Sequence, residues 1–241
     1  MATWEDLSDA TGIKPTIALV THRMTEDDAN SIYASWEQVK RLENKGFEFI
    51  SHSDGHIKLS GADDETIHQD LSSAVNAFQE HDITPRFLVY PYNATNDRVI
   101  SIVKQYFTAA ICGENLTQYS PLDNFRIKRQ SVTINGLVDK EFEDGSSRSV
   151  YEYRSEEELK AIIDDAAKYN GWVIFMTHLR NRDTFYYNDE IKNRMINVCE
   201  YAALKGCKFM TFGDAYDLRK NQFESQRFVV DYSGTIHTKN L

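Results

Sequence analysis

Short apolar runs alternate with longer amphipathic segments along this chain, and this alternation restricts the possible folds more than any other feature. The runs 16–20, 47–50 and 87–90 have the length of buried strands, and each precedes a segment with helical spacing of apolar residues. Strands that alternate with helices form a parallel sheet covered by those helices. The sequence therefore predicts an α/β fold, either a (β/α) barrel or an open doubly wound sheet.

Caps and apolar stripes predict where the helices begin and end. Ser35 and Ser155 are suited to be N-caps, Glu158 completes a capping box with Ser155, and Gly46 ends the helix that follows Ser35. Helices are predicted at 35–45, 63–80, 97–107, 189–204 and 214–220. Further strands are predicted at 109–111, 131–134, 172–176, 208–210 and 227–231, with a loop at 141–149.

Composition excludes several classes of protein. The 241 residues are 41% hydrophobic, enough for a substantial core, and the formal net charge is −10. Such a charge argues against binding to nucleic acid or to an anionic membrane surface. We expect no membrane insertion, because no apolar run approaches the roughly 20 residues that span a bilayer. The acidic start of the chain is unlike a signal peptide, and the three cysteines are predicted to be buried free thiols. A Cys199–Cys207 pair remains open.

Two histidines follow the predicted strand 47–50. His52 and His56 are four residues apart on a loop at the carboxyl end of that strand, where two imidazoles can face one cation. Neutral imidazole is a ligand for zinc and its neighbours. Taken alone, the pair is also compatible with two bystander residues.

Two further polar features lie at strand ends. His178 follows the strand 172–176, and Pro91 stands between Tyr90 and Tyr92 at the end of 87–90. His178 alone fits a structural histidine, and Pro91 alone fits a rigid strand stop. In α/β folds the carboxyl ends of the strands build the active site, so three such features indicate one site.

These motifs, in this order, resemble the polysaccharide deacetylase (NodB-like carbohydrate esterase) family. Residues 52–56 (His-Ser-Asp-Gly-His) fit its His-[Ser/Thr]-x-x-His motif, and residues 90–93 are similar to the segment of its Tyr-Pro-Tyr branch. Residues 176–178 (Met-Thr-His) are similar to its late Leu-x-His. The resemblance extends from Gly12 to Asp217. It implies a distorted (β/α) barrel across residues 1–220, followed by a strand or linker tail at 221–241.

The resemblance also implies an activity. The family removes N-acetyl groups from polysaccharides such as peptidoglycan, and it uses a divalent transition metal, for which zinc is expected here. By position, His52 and His56 would bind the metal and His178 would be the general acid. The backbone N–H of Tyr92 would help to hold the oxyanion, and Arg129 would orient catalytic groups.

The resemblance implies partners as well. Tyr90, Pro91 and Trp172 are expected to contact a polysaccharide substrate, and no nucleic acid is expected. The chain would act outside the cell, at a cell wall or on a virion, as part of a larger protein. The oligomeric state does not follow from the sequence.

One family motif has no counterpart. The opening Thr-Phe-Asp-Asp-Gly strand, which supplies the general base and a third metal ligand, should stand before the run 16–20. The chain is then a piece of a longer protein, a relative that keeps the fold for binding, or a protein in which another segment supplies the carboxylate. Asp231, which ends an apolar run with Gly234 three residues later, is the leading candidate for that third ligand. It also fits a plain terminal strand.

Two other functions remain open at this stage. The chain is compatible with a catalytically silent carbohydrate-binding or structural domain, such as a phage tail or surface protein module. It is also compatible with an amidohydrolase of small molecules, which would have a closed pocket where a polysaccharide enzyme has a groove.

Overall fold

We describe the fold from a computed structural model of the chain. It describes residues 1–26, 33–119, 122–133, 137–142, 145–178, 188–224, 226–230 and 236–240, with side chains as far as residue 220. The helices are α1 Ala2–Thr11, α2 Trp36–Glu43, α3 Asp64–Gln79, α4 Asp97–Val103, α5 Glu156–Lys168, α6 Asp189–Leu204 and α7 Phe212–Glu224. The strands are β1 Thr16–Leu19, β2 Glu48–Ser51, β3 Phe87–Val89, β4 Ala109–Glu114, β5 Ile127–Ser131, β6 Val138–Glu141, β7 Ser147–Val150, β8 Phe175–Met176, β9 Gln226–Val230 and β10 Ile236–Asn240.

The predicted helix starts are confirmed by their hydrogen bonds. The Ser35 side chain accepts from the backbone N–H of Gln38 at the start of α2. At the start of α5, Ser155 and Glu158 form the complete capping box. Gly46 follows α2 with a φ of 89°, a left-handed conformation that glycine adopts without a steric penalty.

Four sequence predictions differ from the structure. The strand predicted at 131–134 is observed at Ile127–Ser131. Residues 208–210 do not form a strand, and the predicted strand 172–176 is reduced to Phe175–Met176. The predicted loop 141–149 includes strand residues at both ends, because β6 and β7 pair as an antiparallel hairpin. In this hairpin, exposed polar residues dominate, so the apolar alternation that reveals a half-buried strand is missing.

The chain forms two compact units, each built from separate segments. The first unit contains residues 1–15, 113–117 and 128–209, and the second contains 16–112, 118–127 and 210–241. The predicted boundary at residue 220 stays a prediction.

The second unit is built around parallel strands. β1 pairs with β2, β2 with β3 and β3 with β4, all in parallel. Leu71 of α3, Leu88 of β3 and Val103 of α4 are fully buried in one apolar cluster. Because helices cover the sheet, both kinds of element lose apolar surface to the same core. The parallel arrangement brings the carboxyl ends of β1, β2 and β3 to one edge of the sheet.

At the opposite edge of the same unit, two strand side chains bind the start of α7. Thr16 Oγ1 accepts from the backbone N–H of Phe212 at 2.7 Å and donates to Glu48 Oε2 at 2.8 Å. Glu48 Oε2 also accepts from the N–H of Gly213 at 2.9 Å. Burial raises the pKa of Glu48. These bonds satisfy N–H groups that an isolated helix start leaves without partners.

The first unit has its own core. Leu159 and Ile163 of α5 pack with Ile191 and Val198 of α6, and α1 lies against the same cluster. β5 and β8 form a parallel pair. Lys192 of α6 forms an ion pair with an α1 carboxylate at 2.6 Å.

Two expectations drawn from composition can be compared with the described residues. None of the described helices is both long and apolar enough to cross a membrane. No disulfide bond joins the three cysteines, all of which are described: Cys112 is buried, as predicted, whereas Cys199 and Cys207 are only partly buried.

The apolar core of the second unit predicts the effect of a truncation in α3. We expect Leu71→Ala to lower the free energy of unfolding by about 2–5 kcal/mol, because it leaves a cavity in a fully buried site. Leu204→Ala is the matched control, since Leu204 is 86% exposed and should change stability by about 0.5 kcal/mol or less. Urea denaturation of both variants measures the difference, and equal effects would contradict this assignment of the core.

Candidate functional site

His52 lies at the carboxyl end of β2 and is held by two hydrogen bonds. Its backbone N–H donates to the carbonyl of Leu19 at 2.7 Å, and its Nδ1 lies 2.7 Å from the carbonyl oxygen of Val89. Because a carbonyl only accepts, Nδ1 carries the proton and Nε2 carries a lone pair. Metal-binding histidines are oriented in this way as a rule, with the second nitrogen donating to a carbonyl or carboxylate.

His56 faces His52 across the same loop. The two ring centroids are 4.7 Å apart and the ring planes are nearly perpendicular. Nδ1 of His56 is buried and has no hydrogen-bond partner among the described residues. Burial lowers the pKa of His56, and the charge of Arg23 lowers it further. The lowered pKa favours the neutral ring, whose buried nitrogen lacks the hydrogen-bond partner that buried polar atoms usually have, as far as the described residues show.

The loop between the two histidines is shaped by polar contacts. Ser53 Oγ accepts from the backbone N–H of His56 at 3.0 Å. Asp70 Oδ1 accepts from the N–H of Gly55 at 2.7 Å. His56 itself has a φ of 53°, and residues other than glycine adopt this left-handed conformation only where the surroundings hold them. Both histidines are thus positioned by the chain before any ligand arrives.

Asp70 was not singled out from the sequence. It lies in α3 between the buried Ile67 and Leu71 and is only 7% exposed. Burial raises the pKa of its carboxyl, although hydrogen bonds from the histidine loop oppose the shift. A carboxylate within the apolar stripe of a helix is the signal that could have identified it, since buried aspartates are rare without a polar partner.

A turn after β1 runs beside the histidine loop. The backbone N–H groups of Thr21 and His22 donate to the carbonyls of Ser53 and Asp54, each at 3.3 Å. Thr21 Oγ1 donates to Asp54 Oδ1 at 2.6 Å, so this carboxylate of the histidine motif already has a partner. The exposed Arg23 is the last residue of this turn, and sequence reasoning missed it too.

The Tyr-Pro-Tyr segment places one aromatic ring at the histidines. The ring centroid of Tyr92 lies 4.7 Å from that of His56, and the Tyr92 side chain is 66% exposed. Its φ of 57° is again left-handed. Tyr90 and Pro91 are buried instead, and burial raises the pKa of the Tyr90 hydroxyl to about 12. Because both residues are buried, the structure does not test the predicted contact of Tyr90 and Pro91 with a substrate, and it stays a prediction.

Three further residues predicted for the site, Arg129, Trp172 and His178, lie in the first unit. His178 is exposed and follows β8, and its carbonyl accepts from the hydroxyl of Tyr153 at 3.4 Å. Arg129 lies in β5 and is partly buried, and Trp172 is 8% exposed. Catalysis by His178 and Arg129, and substrate contact by Trp172, stay predictions.

A third metal ligand is not found in the part of the chain that the structure describes. No group of three or more His, Cys, Asp or Glu residues stands close enough there to hold a metal ion. The predicted ligand Asp231 lies outside the described residues. The arrangement of His52 and His56 fits a metal as two ligands of an incomplete set.

Comparison with known proteins shows which family and which solved structures the chain resembles. Residues 3–110 match the sequence profile of the family described as polysaccharide deacetylase. No curated protein matches the chain. A family 4 acetyl xylan esterase from Clostridium thermocellum, solved in complex with a cobalt ion, is 15% identical, with 90% of this chain and 84% of that chain covered and a TM-score of 0.59.

Two more solved structures are similar to this chain over different lengths. A protein from Mycobacterium smegmatis assigned to the polysaccharide deacetylases is 13% identical, with 92% of this chain and 77% of that chain covered and a TM-score of 0.61. The matches to the Clostridium thermocellum and Mycobacterium smegmatis structures, each over at least 90% of this chain, confirm the predicted fold, a distorted (β/α) barrel of the deacetylase type. A polysaccharide deacetylase from Bacillus cereus is 17% identical with a TM-score of 0.42 over 49% of this chain, which spans only 37% of that protein.

The geometry of the histidine loop predicts a role for Asp70. We expect Asp70→Ala to lower the free energy of unfolding by about 1–3 kcal/mol, because the N–H of Gly55 loses its acceptor. Asp64→Ala, on the exposed first turn of the same helix, is the matched control and should cost about 1 kcal/mol or less. Denaturant unfolding monitored by fluorescence provides the measurement. An Asp70→Ala protein as stable as the control would show that this bond does not hold the loop.

Proposed function

We propose that this chain is a metal-dependent hydrolase that removes N-acetyl groups from a polysaccharide, because residues 3–110 match the sequence profile of the polysaccharide deacetylase family. Peptidoglycan or a related cell-wall glycan is the proposed substrate class, and the cell surface the proposed place of action. The observation that carries the proposal is the facing pair of His52 and His56, in which Nδ1 of His52 is bonded to the Val89 carbonyl and the buried Nδ1 of His56 has no partner among the described residues.

His52 and His56 would hold the metal in this proposal, and zinc is the proposed ion. Neutral imidazole is a ligand that zinc and cobalt bind, and the lowered pKa of His56 favours this form of its ring. When bound, such an ion polarises the acetamide carbonyl and lowers the pKa of water. Asp231 is the proposed third ligand, because an oxygen ligand beside two imidazoles completes a common hydrolytic set.

The chain's own groups would perform the remaining tasks. The backbone N–H of Tyr92 would donate to the oxyanion that forms when the acetamide is attacked. The imidazole of His178 would give a proton to the departing amine nitrogen, and Arg129 would orient catalytic groups. The exposed ring of Tyr92, beside His56, offers a sugar a flat apolar face.

Metal binding gives the first test. We expect the chain to bind zinc or cobalt, and the His52→Ala, His56→Ala double variant to lose that metal in elemental analysis after dialysis. His68→Ala is the control, because His68 bonds to Tyr106 and takes no part in the proposed site. Asp231→Asn should weaken binding as well. Equal metal content in the wild-type and double-variant proteins would overturn the proposed ligands.

Metal affinity should depend on pH in a defined direction. Protons compete with the metal for imidazole, so affinity should be high above the ordinary histidine pKa of about 6.5 and fall as the pH decreases. The lowered pKa of His56 keeps that ring neutral to a lower pH than in the unfolded chain, which moves its protonation further to the acid side. Cobalt titrations followed by absorbance between about pH 5 and 8 measure this. An affinity that rose toward acid pH would contradict imidazole ligation.

Acetate release gives the test of activity. With zinc or cobalt added, we expect the chain to release acetate from N-acetylated chito-oligomers or from peptidoglycan glycan strands. His178→Ala should lower kcat by about 10²–10⁴-fold, the usual effect of losing a general acid. It should leave metal content unchanged, which separates its role from that of the ligands. Absence of acetate release from a metal-loaded wild-type chain on both substrates would refute the activity.

A further inference from the structure

Arg23 stands at the histidine loop without belonging to it. It ends the turn Thr21–Arg23, which the backbone bonds of Thr21 and His22 fasten to residues 53 and 54. This attachment brings the exposed Arg23 to the same sheet edge as His52 and His56. Its positive charge is felt at His56, where it opposes protonation of the ring.

The guanidinium of Arg23 has no carboxylate partner among the described residues. Other arginines there form ion pairs: Arg86 with Asp217, Arg98 with Asp64, Arg126 with Asp97 and Arg194 with Glu190. Asp54, the acidic residue nearest in the loop, accepts instead from the hydroxyl of Thr21. The charge of Arg23 is therefore not paired with a carboxylate in the part of the chain that the structure describes, although the whole chain carries a net charge of −10.

A guanidinium suits one class of ligand. Its planar fork matches a carboxylate with two parallel N–H donors and keeps its charge at every physiological pH. The backbone N–H of Arg23 donates to the carbonyl of Val20, whereas its exposed guanidinium has no ion pair with a described carboxylate. A ligand carboxylate bound beside His56 would be attracted by this charge.

We propose that Arg23 is a specificity-determining residue that binds a carboxylate of the substrate, so that the enzyme prefers an N-acetylated glycan whose sugars carry carboxylates. This inference rests on the proposed deacetylase function and narrows its substrate class to anionic glycans. Arg23 raises binding of the charged substrate and takes no part in the chemistry, so its effect falls on KM.

The test uses one oligosaccharide in two charge states. The first form is an N-acetylated oligosaccharide with lactyl ether carboxylates, and the second is the same molecule after its carboxyl groups are reduced to alcohols. For the zinc-loaded wild-type protein we expect kcat/KM to be about two- to five-fold higher on the carboxylated form, the range of an exposed ion pair. Arg23→Gln should abolish that preference without lowering kcat/KM on the reduced form. Near 1 M salt, where charges are screened within about 3 Å, the wild-type preference should also vanish.

Lys40→Gln is the matched control, since it removes one positive charge from the surface of α2, where Lys40 pairs with Glu43. It should keep the wild-type preference. Equal kcat/KM of the wild-type protein on both forms overturns the proposal, as does an equal loss on both forms in Arg23→Gln. A third outcome also overturns the proposal: acetate inhibits the Arg23→Gln protein less than the wild-type protein, and the wild-type protein shows no preference between the two oligosaccharides. Arg23 would then bind the acetate product and not the substrate.

Calorimetric titration separates this inference from the proposed activity. Both oligosaccharides are titrated into the wild-type, Arg23→Gln and Lys40→Gln proteins, where binding is measured without turnover. If neither oligosaccharide releases acetate, the deacetylase function fails, whereas tighter binding of the carboxylated form that is lost only in Arg23→Gln still supports a carboxylate site. Equal binding of both forms to the wild-type protein refutes it.

Discussion

The hydrogen bond between Nδ1 of His52 and the carbonyl of Val89 is the contact on which the site depends. Ser51 of β2 pairs with Leu88 of β3. The next residues in the two segments are His52 and Val89, and these two are joined by the imidazole Nδ1 and the backbone carbonyl. A backbone carbonyl at the edge of the sheet thus fixes the orientation of the His52 ring. Because the carbonyl takes the proton-bearing nitrogen, the other nitrogen is left with a lone pair at the sheet edge. The parallel pairing of β2 with β3 therefore determines which nitrogen of His52 carries the proton, because it places the Val89 carbonyl beside Nδ1.

The sequence was sufficient where local rules act alone. Capping side chains and apolar stripes predicted α2, α3, α5 and α6 well, since a cap and a 3.6-residue period are properties of the segment itself. The strand predicted at 208–210 was wrong. A short apolar run becomes a strand only beside a neighbouring strand, and the local sequence does not show whether such a neighbour is present. β6 and β7 were missed for the opposite reason, since their pairing does not depend on an apolar face.

The candidate site divides in the same way. His52 and His56 could be predicted because their spacing and their place after a strand are visible in the chain. Asp70 could not, because its role depends on the approach of α3 to Gly55, fifteen residues away in sequence. Arg23 has no motif either, and what distinguishes it is its place in a turn that is bonded to the histidine loop. Such features are relations between distant segments, and only coordinates display them.

The capped start of α7 has a consequence for how this sequence can change over evolutionary time. A Cβ at position 213 would collide with the carboxylate of Glu48, so only a glycine fits while that glutamate caps the helix. A larger residue at position 213 therefore requires that the residue at position 48 is shortened or moves away first, whereas a change of Glu48 is compatible with Gly213. Among homologues, these two positions, 165 apart in the chain, should therefore covary even though neither lies near the histidines.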